Sequence, residues 1–196
     1  MKELSFRFVK ESDAKDILAI YEPYVKETAI TYECEMPSLE EFKKRISDIS
    51  ADYPYIVCVF DEKIVGYAYA HRQMERDAYQ WNAELSVYID NKYFRHGIGR
   101  KLYCILIEML VLQNVKNVYG GVTSPNANSE GLHESMGFVK LGTYHSTGYK
   151  CGAWHDVSWF EKQIGDYSDK PESFKSIKLS DKSKLNEILE NMNKVN

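Results

Sequence analysis

Two glycines and several basic side chains crowd into one short stretch of this chain, Arg95-His96-Gly97-Ile98-Gly99-Arg100-Lys101. Glycine lets a backbone come close to an anion. A helix that starts there adds unpaired N–H groups and the positive end of its dipole. The stretch lacks the Gly-Lys-Ser/Thr of a P-loop and the third glycine of a dinucleotide fingerprint. The chemistry left is a shorter loop that holds a pyrophosphate, with Arg95, His96, Arg100 and Lys101 supplying positive charge. Two glycines ahead of a helix also occur in ordinary strand-to-helix turns, so the loop by itself leaves both readings open.

Such a loop works only if a strand and a helix hold it. Upstream, Leu85, Val87 and Ile89 alternate with Ser86, Tyr88 and Asp90, the pattern of a half-buried strand. Downstream, Leu102, Ile105, Leu106, Met109 and Leu112 give a helix one apolar face. Around this unit the spacing predicts a first strand over residues 4–8 and a helix capped by Ser12 or Asp13. A short second helix opens with the capping box Ser38-Leu39-Glu40-Glu41. Residues 55–60 and 64–70 form a hairpin about Asp61-Glu62-Lys63, and a loop from His71 to Trp81 leads to the central strand. Residues 117–122 form a further strand, then a helix runs to Met136 and stops at Gly137. Segments 138–144 and 155–162 read as closing strands. The sum is a mixed sheet with helices packed on it.

At 196 residues the chain is expected to form one domain over residues 1–165. Residues 166–196 follow as a polar tether and an amphipathic helix carrying Leu185, Ile188, Leu189 and Met192. Hydrophobic residues are 44% and charged residues 28%, an ordinary soluble balance. A net charge of −4 argues against a general nucleic-acid binder. No run is long enough to span a membrane and the N-terminus lacks a signal-peptide core, so a cytoplasmic location is expected. Cys34, Cys58, Cys104 and Cys151 form no CxxC pair, which gives no sign of a metal or redox site. Cys58 and Cys104 sit in apolar runs and read as small core residues.

With the strand, the RHGIGR turn and a later helix ending LHESMGF in view, the chain resembles the GNAT superfamily of acyl-CoA-dependent N-acetyltransferases. Within it the segments IYEPYVKETAITYE, VGYAYA, DAYQWNAELSVYI, GIGRKLY, SPNANSEGLHESMGF and GAWHDVSWFEK are similar, in order, to the phosphinothricin acetyltransferase family. The similarity covers residues 3–163 and leaves the tail outside. The resemblance implies the α/β acyltransferase fold, a central mixed, mostly antiparallel, splayed sheet flanked by helices. It also implies acetyl-CoA as cosubstrate, a small-molecule amine as acceptor, no metal and a homodimer.

The resemblance further assigns roles. Glu84, at the head of the central strand, matches the family's general base. His133, four residues before Gly137, matches a position assigned to proton relay. The donor would be held by the backbone of Val87, Tyr88 and Ile89, by the turn Arg95, His96, Gly97, Ile98, Gly99 and Arg100, and by Asn126. Arg76 and Tyr79 would clamp an acceptor carboxylate, since a guanidinium offers two-point binding. His155-Asp156 is expected to make a structural hydrogen bond at a strand start. Phe94 stands where the family has Gln or Arg, which leaves the pyrophosphate to backbone N–H groups. Met74 replaces a lysine of herbicide-acetylating relatives. The activity implied is acetyl transfer to the amine of a small amino acid or analogue. The competing readings are a polyamine, peptide or antibiotic amine as acceptor, and a non-catalytic acyl-CoA sensor.

Overall fold

A computed structural model describes residues 3–194 and contains a seven-stranded sheet in the order β1-β2-β3-β4-β5-β7-β6. The strands are β1 (Leu4–Phe8), β2 (Tyr55–Phe60), β3 (Lys63–Arg72), β4 (Asn82–Ile89), β5 (Asn117–Ser124), β6 (Val139–Lys150) and β7 (Ala153–Gln163). The helices are α1 (Ala14–Glu27), α2 (Leu39–Asp52), α3 (Ile98–Leu112), α4 (Ala127–Ser135) and α5 (Lys182–Lys194). Every neighbouring pair is antiparallel except β4 and β5. That parallel pair holds only from Asn82↔Asn117 to Glu84↔Tyr119, after which the two strands part. The mixed, splayed sheet expected from the sequence is present, and Glu84 sits on its last closed rung.

Helices cover both faces of the sheet, and strand alternation assigns side chains to each. Ile56, Cys58, Ala83, Leu85, Val118 and Val122 join Leu102, Ile105, Leu106 and Met109 of α3 in one core. Tyr55, Val57 and Tyr67 join Ile17, Ile20, Tyr21, Phe42 and Ile46 of α1 and α2 in the other. Each fully buried Leu or Ile of α3 contributes on the order of 1.5–3 kcal/mol through removal of apolar surface from water. Cys58 is part of the first core, and burial pushes its thiol up to about 12, far from reactivity.

Local chemistry explains most boundaries. Ser38 accepts from the Glu41 N–H and Glu41 answers at the Ser38 N–H, so α2 starts at Leu39. It runs to Asp52, longer than the short helix expected. Asp13 does not cap α1 in the usual manner: its carboxylate takes the Lys10 N–H at 2.7 Å and the Arg7 guanidinium at 2.6 and 3.0 Å. The β2–β3 hairpin turns on Asp61 and Glu62, at φ 50° and 64°, and Gly137 ends the α4 region at φ 79°. The closing strands are longer than the sequence pattern indicates. Gly148 lies inside β6 rather than in the connection, because the turn falls at Cys151 and Gly152, at φ 51° and 78°.

The C-terminal stretch lies against the domain. The Trp81 indole N–H donates to the Glu172 carbonyl at 2.8 Å, and the Phe174 N–H donates to the Gln80 side chain at 2.9 Å. Gln113, fully buried, bridges the carbonyls of Asp52 and Lys175 at 2.6 and 2.8 Å. Leu185 and Leu189 of α5 are buried in the α3-side core, and Asn193 takes the Phe6 N–H of edge strand β1 at 2.7 Å. The segment read as a tether is thus fastened at several points. Its polar composition is satisfied by backbone groups of the domain that a sequence pattern does not reveal.

Candidate active site

α3 begins at Ile98 with Gly97 as its N-cap at φ 73°. Arg95, two residues earlier, is also left-handed at φ 64°. These turns carry the chain from the end of β4 into the helix with no side chain capping its first N–H groups. The unpaired donors face a groove of about 600 Å³. Val87, Ile89, Arg95, Gly97, Ile98, Gly99, Arg100 and Asn126 all line it, so the structure gathers most of the predicted donor residues around one cavity. A Cβ at Gly97 would meet nothing within 4 Å, so the need for glycine there is conformational. Gly97→Ala is expected to cost about 1–2 kcal/mol for the left-handed residue. Calorimetric titration with CoA should then show roughly 5- to 10-fold weaker binding, as the turn relaxes out of register with the anion.

Val87, Tyr88 and Ile89 divide their backbone groups. The Asp90 N–H bonds to Val65 of β3, which in an antiparallel ladder turns Tyr88 toward β3 as well. Val87 and Ile89 therefore face the open side. At Ile89 the Tyr24 hydroxyl already donates to the carbonyl at 2.6 Å and accepts from the N–H at 3.3 Å. Val87 carries the edge that lies open, because pairing with β5 stops at Glu84. Asn126 caps α4 by accepting the Ser129 N–H at 3.2 Å, which leaves its amide NH₂ as a donor at the groove. His96 is exposed and lies outside the groove lining, with Nδ1 2.9 Å from the Phe94 carbonyl. Phe94 is 44% exposed and lines the seam between this groove and a neighbouring cavity of about 780 Å³ under α1.

Glu84 is half-buried between His71 of β3 and Tyr119 of β5. Burial raises its carboxyl above the usual range, and the His71 charge opposite partly offsets this. His133 is 2% exposed, stacked on Phe160 and edge-on to Phe138 and Tyr103. Its Nδ1 lies 2.8 Å from the Ser129 carbonyl, so that nitrogen carries the proton and Nε2 is the acceptor. Nε2 faces the Tyr103 hydroxyl at 3.5 Å. Burial lowers the pKa of this histidine, which keeps the ring neutral.

Glu84 and His133 therefore lie on opposite sides of the strand layer rather than in contact, and neither lines the donor groove. Tyr103 is the neighbour they share. Burial and then the Glu84 charge raise its phenol strongly. Arg76 and Tyr79 lie on the exposed loop between β3 and β4, apart from both cavities. Met74 is 46% exposed on the same loop. His155 and Asp156 make structural bonds: His155 Nε2 lies 2.9 Å from the Lys150 carbonyl, and Asp156 takes the Ser146 N–H at 2.8 Å.

The sequence reading missed Tyr24, Tyr93, Ser129 and Leu132 as groove residues. Tyr24 lies on the apolar stripe of the first helix and Leu132 stands within the LHESMGF segment, and nothing in their spacing tells a groove wall from a core.

Among known families, the acetyltransferase (GNAT) domain matches residues 6–159. A phosphinothricin N-acetyltransferase of Streptomyces coelicolor is 32% identical over 166 residues, covering 83% of this chain and 97% of the relative. The L-amino acid N-acyltransferase MnaT of Escherichia coli is 28% identical over 170 residues, covering 85% and 97%. A phosphinothricin acetyltransferase of Sinorhizobium meliloti, solved with acetyl-CoA, superposes with a TM-score of 0.83 at 29% identity, covering 86% of this chain and 93% of that one. The match runs from β1 into β7 and takes in the groove, the glycine turn and the splayed rung, and on it the chain belongs to the GNAT superfamily as an acetyl-CoA-dependent N-acetyltransferase similar to the phosphinothricin acetyltransferases.

Proposed function

We propose that this protein transfers acetyl from acetyl-CoA directly to the free amine of a small amino acid or analogue of the phosphinothricin or methionine sulfone kind. The observation that carries the mechanism is Glu84 on the last rung before β4 and β5 part, at the root of a strand edge that runs past Val87 to the donor turn. The Glu84 carboxylate takes a proton from the acceptor ammonium. The freed amine attacks the thioester carbonyl, and as the C–S bond breaks the nitrogen gives up its second proton, which ends on the departing thiolate to make CoA-SH. The edge of Val87 aligns the pantetheine arm, and the first N–H groups of α3 with Arg95 and Arg100 hold the pyrophosphate. That second proton reaches the sulfur through the Tyr103 phenol, which gives one proton to the thiolate as it takes one from nitrogen, with His133 Nε2 facing the hydroxyl to orient it. The names of the S. coelicolor and E. coli relatives support an amino-acid acceptor.

A screen for thiol release with phosphinothricin, methionine sulfone, methionine sulfoximine, common amino acids and polyamines tests this reading. If Arg76 clamps a carboxylate, Arg76→Ala raises KM about 10-fold for acceptors that carry one and leaves the others unchanged, the loss of one exposed charge-assisted contact. An equal rise for both groups removes the carboxylate clamp. One observation favours a polyamine as the second reading. Glu33 pairs one carboxylate oxygen with Arg45 and has the other buried without a hydrogen-bond partner, and both Glu33 and Glu84 act on the Tyr69 hydroxyl. Two carboxylates around one aromatic floor suit a polycation, and faster turnover of spermidine than of any amino acid would select it.

The protein works in the cytoplasm as a homodimer on this reading. Support for the dimer comes from Val139, Leu141, Tyr144, Tyr149 and Trp154, large apolar side chains exposed along β6 and at the start of β7. Light scattering at micromolar concentration checks it.

A further inference from the structure

The last residues of β3 place an imidazole directly across from Glu84. His71 and Glu84 are register partners in the antiparallel β3–β4 ladder. Such partners share a face with Cβ atoms roughly 4.5–5.5 Å apart. His71 Nδ1 lies 3.0 Å from the Arg72 carbonyl, which fixes the proton on Nδ1 and leaves Nε2 as a bare base. The ring is half-buried beside Tyr69, with centroids 6.0 Å apart, so it keeps a side toward solvent. Glu84 is also half-buried and stands where β5 closes against β4. A carboxylic acid formed there needs an outlet before the next turnover.

We infer that His71 is that outlet, a relay residue that takes the proton from the Glu84 carboxyl, across one bridging water, onto Nε2 and releases it to solvent. The inference rests on the reading of Glu84 as the base. The balance is simple: the acceptor ammonium gives one proton to the Glu84 carboxylate, that acid returns to carboxylate as the imidazole becomes imidazolium, and the imidazolium loses the proton to water. His71 touches neither substrate. The other titratable groups facing the pair are Tyr69 on β3 and Tyr119 on β5, with Tyr103 of α3 within electrostatic reach of Glu84 and with Glu33 and Arg45 acting on Tyr69 from the α2 side. None of the tyrosines offers a free base near neutral pH, since burial raises the phenols of Tyr69, Tyr103 and Tyr119. The imidazole is the group suited to the task.

The experiment compares the wild type with His71→Gln, His71→Ala and Glu84→Gln in two measurements. The first needs no acceptor: the ¹³Cδ resonance of Glu84 is titrated in the wild type and in His71→Gln. Loss of the positive charge opposite should move its midpoint upward, in keeping with the direction in which His71 acts on Glu84. The second follows thiol release from acetyl-CoA with L-methionine sulfone and with spermidine. Both His71 variants should lose about 10²-fold in kcat, with KM for acetyl-CoA unchanged. The acid limb of kcat/KM should move upward in pH, and imidazole should restore His71→Ala in proportion to its free-base concentration. An unmoved Glu84 midpoint overturns the relay. So does a rate loss without a shifted limb and without rescue, which marks a packing role. A fast Glu84→Gln enzyme would remove the base itself and is distinguishable from a fast His71→Gln enzyme, which removes only the relay.

Discussion

Replacing Glu84 with Gln is expected to lower kcat by about 10²–10⁴-fold, the usual contribution of a positioned general base. The side chain keeps its volume and its place between His71 and Tyr119, so acetyl-CoA binding measured by calorimetry should not change. The sign of the pH dependence follows from the burial. Glu84 ionises above the ordinary range for a glutamate because the charged form is poorly solvated, with His71 opposing part of the rise. Only the carboxylate can accept a proton, so wild-type kcat/KM climbs as pH rises through that raised value and falls away below it. Glu84→Gln should lose this limb and keep a low, flat residual rate. A variant with full activity at every pH would remove Glu84 from the mechanism.

The second large effect is expected at Gly120, where the cause is steric. A Cβ on this residue would come 2.2 Å from Nε2 of His133, far inside any real contact. The ring cannot swing away, because Phe160, Phe138 and Tyr103 pack around it and Nδ1 is bonded to the Ser129 carbonyl. Gly120→Ala should cost about 1–3 kcal/mol through overpacking. For a protein of this size that lowers Tm by roughly 2–4 °C per kcal/mol. Gly121→Ala is the control. It points to the other face of β5, where the nearest Trp159 atom is at an ordinary 3.4 Å, and should melt close to the wild type. If His133 is the obstacle, combining Gly120→Ala with His133→Ala should cost less than the sum of the two single changes. Additive losses would place the strain elsewhere.

These two positions separate what a sequence shows from what it hides. The glycine turn was legible because the constraint is local: Gly97 must adopt φ 73°, and the apolar stripe from Leu102 to Leu112 starts immediately after it. The capping box at Ser38 and the α4 cap at Asn126 are equally local, each set by a side chain that reaches only three residues along the chain. Gly120 was only one residue of a predicted strand, and no pattern told it apart from Gly121. Its requirement comes from a histidine that approaches from a different helix.

The same division runs through the site. Residue types and spacing alone determined the strand, the glycine turn and the helix, and the mixed sheet with helices that supports them. The tertiary structure decided how far β4 and β5 stay paired, which places Glu84 at the opening of the sheet. It also put Tyr24 on the Ile89 edge, sealed His133 beneath Gly120, and set His71 opposite Glu84. Hydrogen bonds to near neighbours and helical stripes depend on a few consecutive residues, so they can be read in order along the chain. Strand register and ring packing depend on partners tens of residues away, and only the folded chain brings those partners together.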